Sequence, residues 1–174
     1  MANYKTKLHD IKAFVFDVDG VFTDGSVLVT ESGDLLRAHN AKDGYAIRSA
    51  VLAGYPIGII SGGTSATITL RFQMLGIEDI YLGAYTKTEA LEDFCRKHGL
   101  ETSQVLYMGD DIPDLMVMRA CGLACCPADA VEEVRRASDY ISPSVGGRGC
   151  VRDVVEQVMK LHNKWYQDPT IVSQ

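Results

Sequence analysis

Short unbroken apolar runs alternate with stretches of helical spacing from residue 11 to residue 162. Residues 11–16, 55–60, 105–108 and 123–126 are runs of mostly apolar side chains, the pattern of strands buried on both faces. Ile80, Tyr81 and Leu82 form a shorter run, and Tyr140 with Ile141 a brief one. Between them, residues 43–52, 64–75, 87–98, 114–120, 130–136 and 151–162 read as helices, the first three followed by Gly54, Gly76 and Gly99 as stop signals. Strand and helix in alternation predict an α/β fold, a Rossmann-like, doubly wound parallel sheet with helices on both faces. Residues 163–174 lack periodicity and read as a loose tail, which leaves residues 1–162 as a single domain.

One stretch breaks the alternation. Residues 26–30 and 35–39 are strand-like and flank Glu31-Ser32-Gly33-Asp34, which predicts a β-hairpin within residues 22–39, protruding after the first strand. A lone two-stranded hairpin is marginal in water, so this one is either a surface flap or an interaction element.

Composition narrows the function. A net charge of −6 offers no basic surface for nucleic acid, and no apolar run approaches the roughly 20 residues that span a bilayer. The N-terminus has no apolar signal-like region, so the expectation is a soluble cytoplasmic protein without nucleic-acid or membrane partners. Five cysteines, without the paired CxxC spacing of a zinc site, read as reduced packing thiols.

The candidate chemistry lies at strand ends. Asp17 and Asp19 follow the first strand, where open α/β sheets bind ligands, and two carboxylates there call for a compensating cation. Magnesium suits such a place, because it takes one or two carboxylates plus water and phosphate oxygens. A second acidic cluster, Gly109-Asp110-Asp111-Ile112-Pro113-Asp114, follows the strand at 105–108; its acids are either metal ligands or caps for the next helix. Ser61-Gly62-Gly63 ends the strand at 55–60, before an expected helix N-terminus that would favour phosphate, although the same residues make an ordinary turn. Lys87, before the helix at 88–98, is either a solvated charge or a fixed cation for the same pocket.

Taken in order, Asp17-Val18-Asp19-Gly20-Val21, Ser61, Lys87 and Gly109-Asp110-Asp111 with Asp114 resemble the four motifs of the haloacid dehalogenase superfamily of phosphohydrolases. The resemblance implies Asp17 as nucleophile, Asp19 as general acid and base, Ser61 with Gly62 as phosphate ligands and Lys87 as the charge-balancing lysine. It also implies Mg²⁺ held by Asp17, the backbone carbonyl of Asp19 and Asp110, with Asp111 and Asp114 in support. In this scheme Asp19 must be protonated for the first half-reaction and ionised for the second, which calls for surroundings that favour its neutral form.

Val21-Phe22-Thr23-Asp24-Gly25, the hairpin, residues 39–44 and Gly146-Gly147-Arg148-Gly149 resemble a capless subfamily of phosphatases acting on phosphorylated sugar acids. That likeness implies no cap domain and a homotetramer in which hairpins pack together and neighbouring subunits help close each site. The implied substrate is 3-deoxy-D-manno-octulosonate 8-phosphate, in lipopolysaccharide precursor synthesis. The alternatives are a related nonulosonate 9-phosphate or a non-catalytic oligomeric module. Lys42, Arg71 and Arg148, with Asp43 beside the first, are the candidates for the sugar acid, each otherwise a surface charge or ion-pair partner. Gly63 stands where the subfamily often carries an arginine.

Overall fold

The computed structural model describes residues 3–166. A single turn, α1 (Tyr4–Lys7), leads into the central strand β1 (Ala13–Phe16), which is followed by the hairpin strands β2 (Leu28–Val29) and β3 (Leu35–Leu36). Then come α2 (Ala41–Leu52), β4 (Ile57–Ser61), α3 (Ala66–Met74), β5 (Asp79–Leu82) and α4 (Lys87–His98). The second half supplies β6 (Val105–Met108), α5 (Leu115–Ala120), β7 (Leu123–Cys126), α6 (Glu132–Ala137), β8 (Tyr140–Ile141) and α7 (Cys150–Leu161).

Six strands form one parallel sheet in the order β5-β4-β1-β6-β7-β8, as the alternation predicts. From β1 the chain builds outward through β4 and β5, then returns to the other side of β1 for β6, β7 and β8. Strand order therefore reverses at β1, and the crevice beyond its carboxyl end is where such sheets bind ligands. The strands read as continuous apolar runs because both faces are covered. On β1, Phe14 and Phe16 face a core shared with α2, α3 and α7, while Ala13 and Val15 face one shared with α4, α5 and α6. Full burial of an aromatic such as Phe14 contributes about 1.5–3 kcal/mol.

Several boundaries differ from the expectations by one or two residues, and three places bear on the site or the tail. Helix α2 starts two residues early because Asn40 caps it, its side chain accepting from the Lys42 amide at 2.8 Å. Helix α3 starts two residues late, at Ala66, so Ser61-Gly62-Gly63 opens a loop and not a helix. At the start of the expected tail the Lys164 and Trp165 amides donate to the Met159 carbonyl, and the Trp165 ring packs on the core beneath Arg152. The rest of the expected tail, 167–174, lies outside the described residues.

The hairpin pairs Leu28 with Leu36 and Val29 with Leu35, on strands shorter than the runs that predict them. These four paired side chains are exposed, Leu28 and Val29 by 66% and 63%.

Candidate active site

The loops at the carboxyl ends of β1, β4, β5 and β6 enclose a cavity of about 520 Å³. It is lined by Asp17, Asp19, Ser61, Gly62, Lys87 and Asp110, with Asp111 and Asp114 beside them. The topology thus brings together the acids, the hydroxyl and the lysine that sequence order left up to 97 residues apart.

Asp17 continues β1, its amide donating to the Met108 carbonyl of β6 at 3.0 Å. Its Oδ1 accepts from the Val18 amide at 2.7 Å and its Oδ2 lies 2.9 Å from Lys87 Nζ. Lys87, buried at the start of α4, also donates to Asp114 Oδ1 at 2.6 Å. Burial alone would push the ammonium down, but Asp17 and Asp114 outweigh it and hold Lys87 above its ordinary value.

Gly109 explains the spacing of the second acidic cluster. A Cβ there would lie 2.3 Å from Asp114 Cγ, so only glycine lets Asp114 tuck under the loop. Asp114 is fully buried and accepts four hydrogen bonds: Lys87 Nζ and the Tyr107 hydroxyl reach Oδ1 at 2.6 Å each, and the Asp110 and Asp111 amides reach Oδ2 at 3.1 and 3.3 Å. Tyr107 was not a sequence candidate, since within β6 it reads as one more buried strand residue. Asp111 is exposed and caps the short turn at Ile112, accepting from its amide at 2.8 Å.

Oxygens of Asp17, Asp110 and Asp114 lie within 4.8 Å of one another. Asp114 is already saturated by its four donors, so the carboxylates left to meet a cation are Asp17 and Asp110. Both are pushed up to about 7, first by burial and then by neighbouring carboxylates, with Lys87 only partly offsetting them. Asp110 lies over Gly20, where a Cβ would sit 1.9 Å from its Oδ2. A hard divalent cation fits this all-oxygen, charge-crowded cradle.

Ser61 Oγ, on a nearly buried side chain, accepts from the Gly63 amide at 3.1 Å. Because α3 starts only at Ala66, a phosphate here would meet the loop amide of Gly62 and the Ser61 hydroxyl, without the helix terminus that the sequence led one to expect. Asp19 is not in apolar surroundings. Arg37, just past β3, sets Nε on Asp19 Oδ1 at 2.7 Å and Nη2 on Oδ2 at 3.1 Å.

The residues expected to meet the sugar acid lie elsewhere. Among the described residues neither Lys42, Asp43, Arg71 nor Arg148 lines the cavity. Asp43 is buried and accepts from the Gly149 and Arg152 amides at 3.1 and 2.8 Å, capping the N-terminus of α7. Lys42 and Arg148 are exposed, and Arg71 lies across α2, where a Cβ on Gly44 would come within 2.7 Å of its Nη2. Asn40 and Asp43 together hold residues 147–152, and the preceding Gly146 packs so closely on Gly20 that a Cβ would fall 2.0 Å from the Gly20 carbonyl oxygen. Two separated sequence landmarks thus form one brace behind the loop that carries Asp19.

Fold and site define a hydrolase class. The profile of the haloacid dehalogenase-like hydrolases matches residues 60–152, and the chain belongs to that family. Within it, the chain is 35% identical over 159 residues to the 3-deoxy-D-manno-octulosonate 8-phosphate phosphatase of Salmonella typhi, covering 91% of this chain and 85% of the relative. The enzyme of that name from Escherichia coli K12 is 34% identical, with 94% and 87% covered. Among solved structures, a Yersinia pestis phosphatase of the same name superposes with a TM-score of 0.91 at 31% identity, covering 94% and 88% of the two chains. The Moraxella catarrhalis phosphatase, solved with magnesium, phosphate and KDO, gives a TM-score of 0.90 at 35% identity, with 95% of each chain covered.

Proposed function

We propose that the chain hydrolyses 3-deoxy-D-manno-octulosonate 8-phosphate to the free sugar acid and phosphate, through a phosphoryl group carried on Asp17. The observation that carries this reading is Asp17 at the end of β1, with Lys87 at 2.9 Å, Asp110 beside it, and Ser61 and Gly62 in the same cavity. Similarity to relatives of that name over most of the chain supports the choice of substrate.

Asp17 attacks phosphorus in line, and the bond from phosphorus to the sugar oxygen breaks as Asp19, with one oxygen released by Arg37 to carry a proton, donates that proton to the sugar oxygen. Water then attacks the aspartyl phosphate, Asp19 takes its proton, and the bond to Asp17 breaks to release phosphate. Ser61 and the Gly62 amide orient the phosphoryl oxygens, while Lys87 balances the nucleophile's charge. A Mg²⁺ ion held by Asp17, Asp110 and the Asp19 carbonyl would supply further positive charge to the phosphoryl oxygens. Asp111 supports the loop and Asp114 fixes Lys87.

The exposed Leu28, Val29, Leu35 and Leu36 support a homotetramer in which hairpins cover one another. Lys42, Arg71 and Arg148 would then serve the sugar acid only across a subunit boundary. A steady-state screen over phosphorylated octulosonates, nonulosonates and hexose phosphates tests the proposal. Preference for the eight-carbon acid is the expected result; a flat profile would sink the substrate choice, and a nine-carbon preference would move it.

A further inference from the structure

The hairpin side of the cavity carries a cation to which the chemistry above gives no substrate contact. Arg37 turns back from the end of β3 to meet Asp19 side-on through Nε and Nη2. Only 6% of its side chain reaches solvent. The third guanidinium nitrogen, Nη1, is buried and unpartnered, and is the one such side-chain nitrogen or oxygen among the described residues. Arg37 does not itself line the cavity, but Asp19, which it holds, and Gly63, against which Nη2 lies, both do. Buried donors without acceptors are costly and rare in folded proteins, so the orphaned Nη1 next to these two residues points to an acceptor supplied from outside the chain.

Two further observations set the chemistry of that acceptor. Gly63 lies next to the guanidinium, since a Cβ there would stand in ordinary contact, 3.7 Å from Arg37 Nη2, and Gly63 itself lines the cavity. The lining is strongly acidic, with Asp17, Asp19, Asp110, Asp111 and Asp114 set against Lys87 alone. A phosphorylated sugar acid entering it brings more negative charge, in its phosphoryl group and its carboxylate. A rigid, always-charged donor fork is the side chain suited to such an oxyanion.

We propose that Arg37 is a substrate-binding residue, anchored on Asp19 through Nε and Nη2 and offering its unmet Nη1 donors to an oxyanion of the substrate. This rests on the phosphatase reading above. The hairpin then takes part in recognition through its own chain, and one guanidinium links substrate to the proposed acid and base. The oxyanion is either the phosphoryl group or the sugar acid's carboxylate.

Titration calorimetry in Mg²⁺ separates the two sources. Inorganic phosphate and phosphate-free 3-deoxy-D-manno-octulosonate are titrated into the wild type, R37M and R37K, with melting curves as a fold control. R37M should weaken one of the two ligands by about 10- to 100-fold, the range of a charge-assisted hydrogen bond. Loss confined to phosphate assigns the phosphoryl group, and loss confined to the sugar acid assigns the carboxylate. R37K, which keeps the charge without the fork, should recover part of the loss; should R37M not fold, R37K alone should still bind more weakly than the wild type. Wild-type binding of a ligand, with both folded variants within about twofold of it for both ligands, overturns the inference and leaves the phosphatase reading standing. A wild type that binds neither ligand removes that reading and this inference with it.

Discussion

Replacing Asp114 by asparagine tests the buried support beneath the nucleophile. Asp114 has no solvent exposure and uses both oxygens twice, toward Lys87 and Tyr107 on one side and two backbone amides on the other. The amide's best orientation keeps its oxygen on the backbone pair and turns its NH₂ toward Lys87 and Tyr107. The tyrosine hydroxyl can reverse and accept, but an ammonium cannot. One charge-assisted bond is therefore lost, at about 1.5–3 kcal/mol, and the two backbone bonds fall from charged to neutral strength, at about 1 kcal/mol each. Relief of repulsion with Asp17 and Asp110 offsets part of this, so Asp114→Asn should cost about 3 kcal/mol in urea unfolding. Tyr107→Phe removes one donor and leaves three, and should cost about half as much. Turnover should fall with Asp114→Asn even where the protein is folded, because Lys87 loses one of its two anchors. A change under about 1 kcal/mol with full turnover would refute the view that Asp114 holds Lys87 in place.

Asp17 and Asp110 are both pushed up to about 7, and a carboxyl raised in the folded state adds stability below its unfolded value, near 4, that disappears as pH rises through about 7. In a chelator the protein should therefore lose stability over that window, and Mg²⁺, which meets the ionised pair, should raise the melting temperature more at about pH 8 than at about pH 5. Equal increments by scanning fluorimetry at both pH values would contradict this. Leu28→Asp, placing a charge where 66% of the side chain is exposed, should leave the melting temperature nearly unchanged and reduce the mass found by light scattering to that of a smaller assembly. A wild type that is monomeric at working concentration would remove the role proposed for the hairpin. Asp43→Asn leaves an NH₂ facing one of the two α7 amides, and should destabilise by about 1–3 kcal/mol, while turnover by the folded fraction is retained.

The sheet was legible because it is buried on both faces, so each strand announces itself as an apolar run, and the sequence alone places the acids at strand ends on one edge. Asp17, Asp110, Ser61 and Lys87 converge on one cavity for that reason. What escaped depends on packing between distant segments. Arg37 reads as a polar hairpin residue until the hairpin folds back onto Asp19. Tyr107 reads as core, because nothing in its neighbours reveals that its hydroxyl meets Asp114. Asp43 reads as a neighbour of Lys42, and its capping of α7 shows only when that helix arrives, while Gly146-Gly147 reads as a landmark beside Arg148 until the Gly20 carbonyl is found against it. Helix starts shifted by two residues: Asn40 caps α2 early, whereas α3 starts late at Ala66 without a side-chain cap.

The central claim is that Asp17 carries the phosphoryl group. Rapid acid quench during turnover of the sugar phosphate, followed by borohydride reduction and peptide mass mapping, reads that directly, since reduction of an aspartyl phosphate leaves homoserine at the modified position. Homoserine at position 17 in the wild type, and none in a folded Asp17→Asn protein that has lost turnover, is the predicted result. Steady turnover with unmodified Asp17, or an Asp17→Asn protein that still turns over at the wild-type rate, would contradict it.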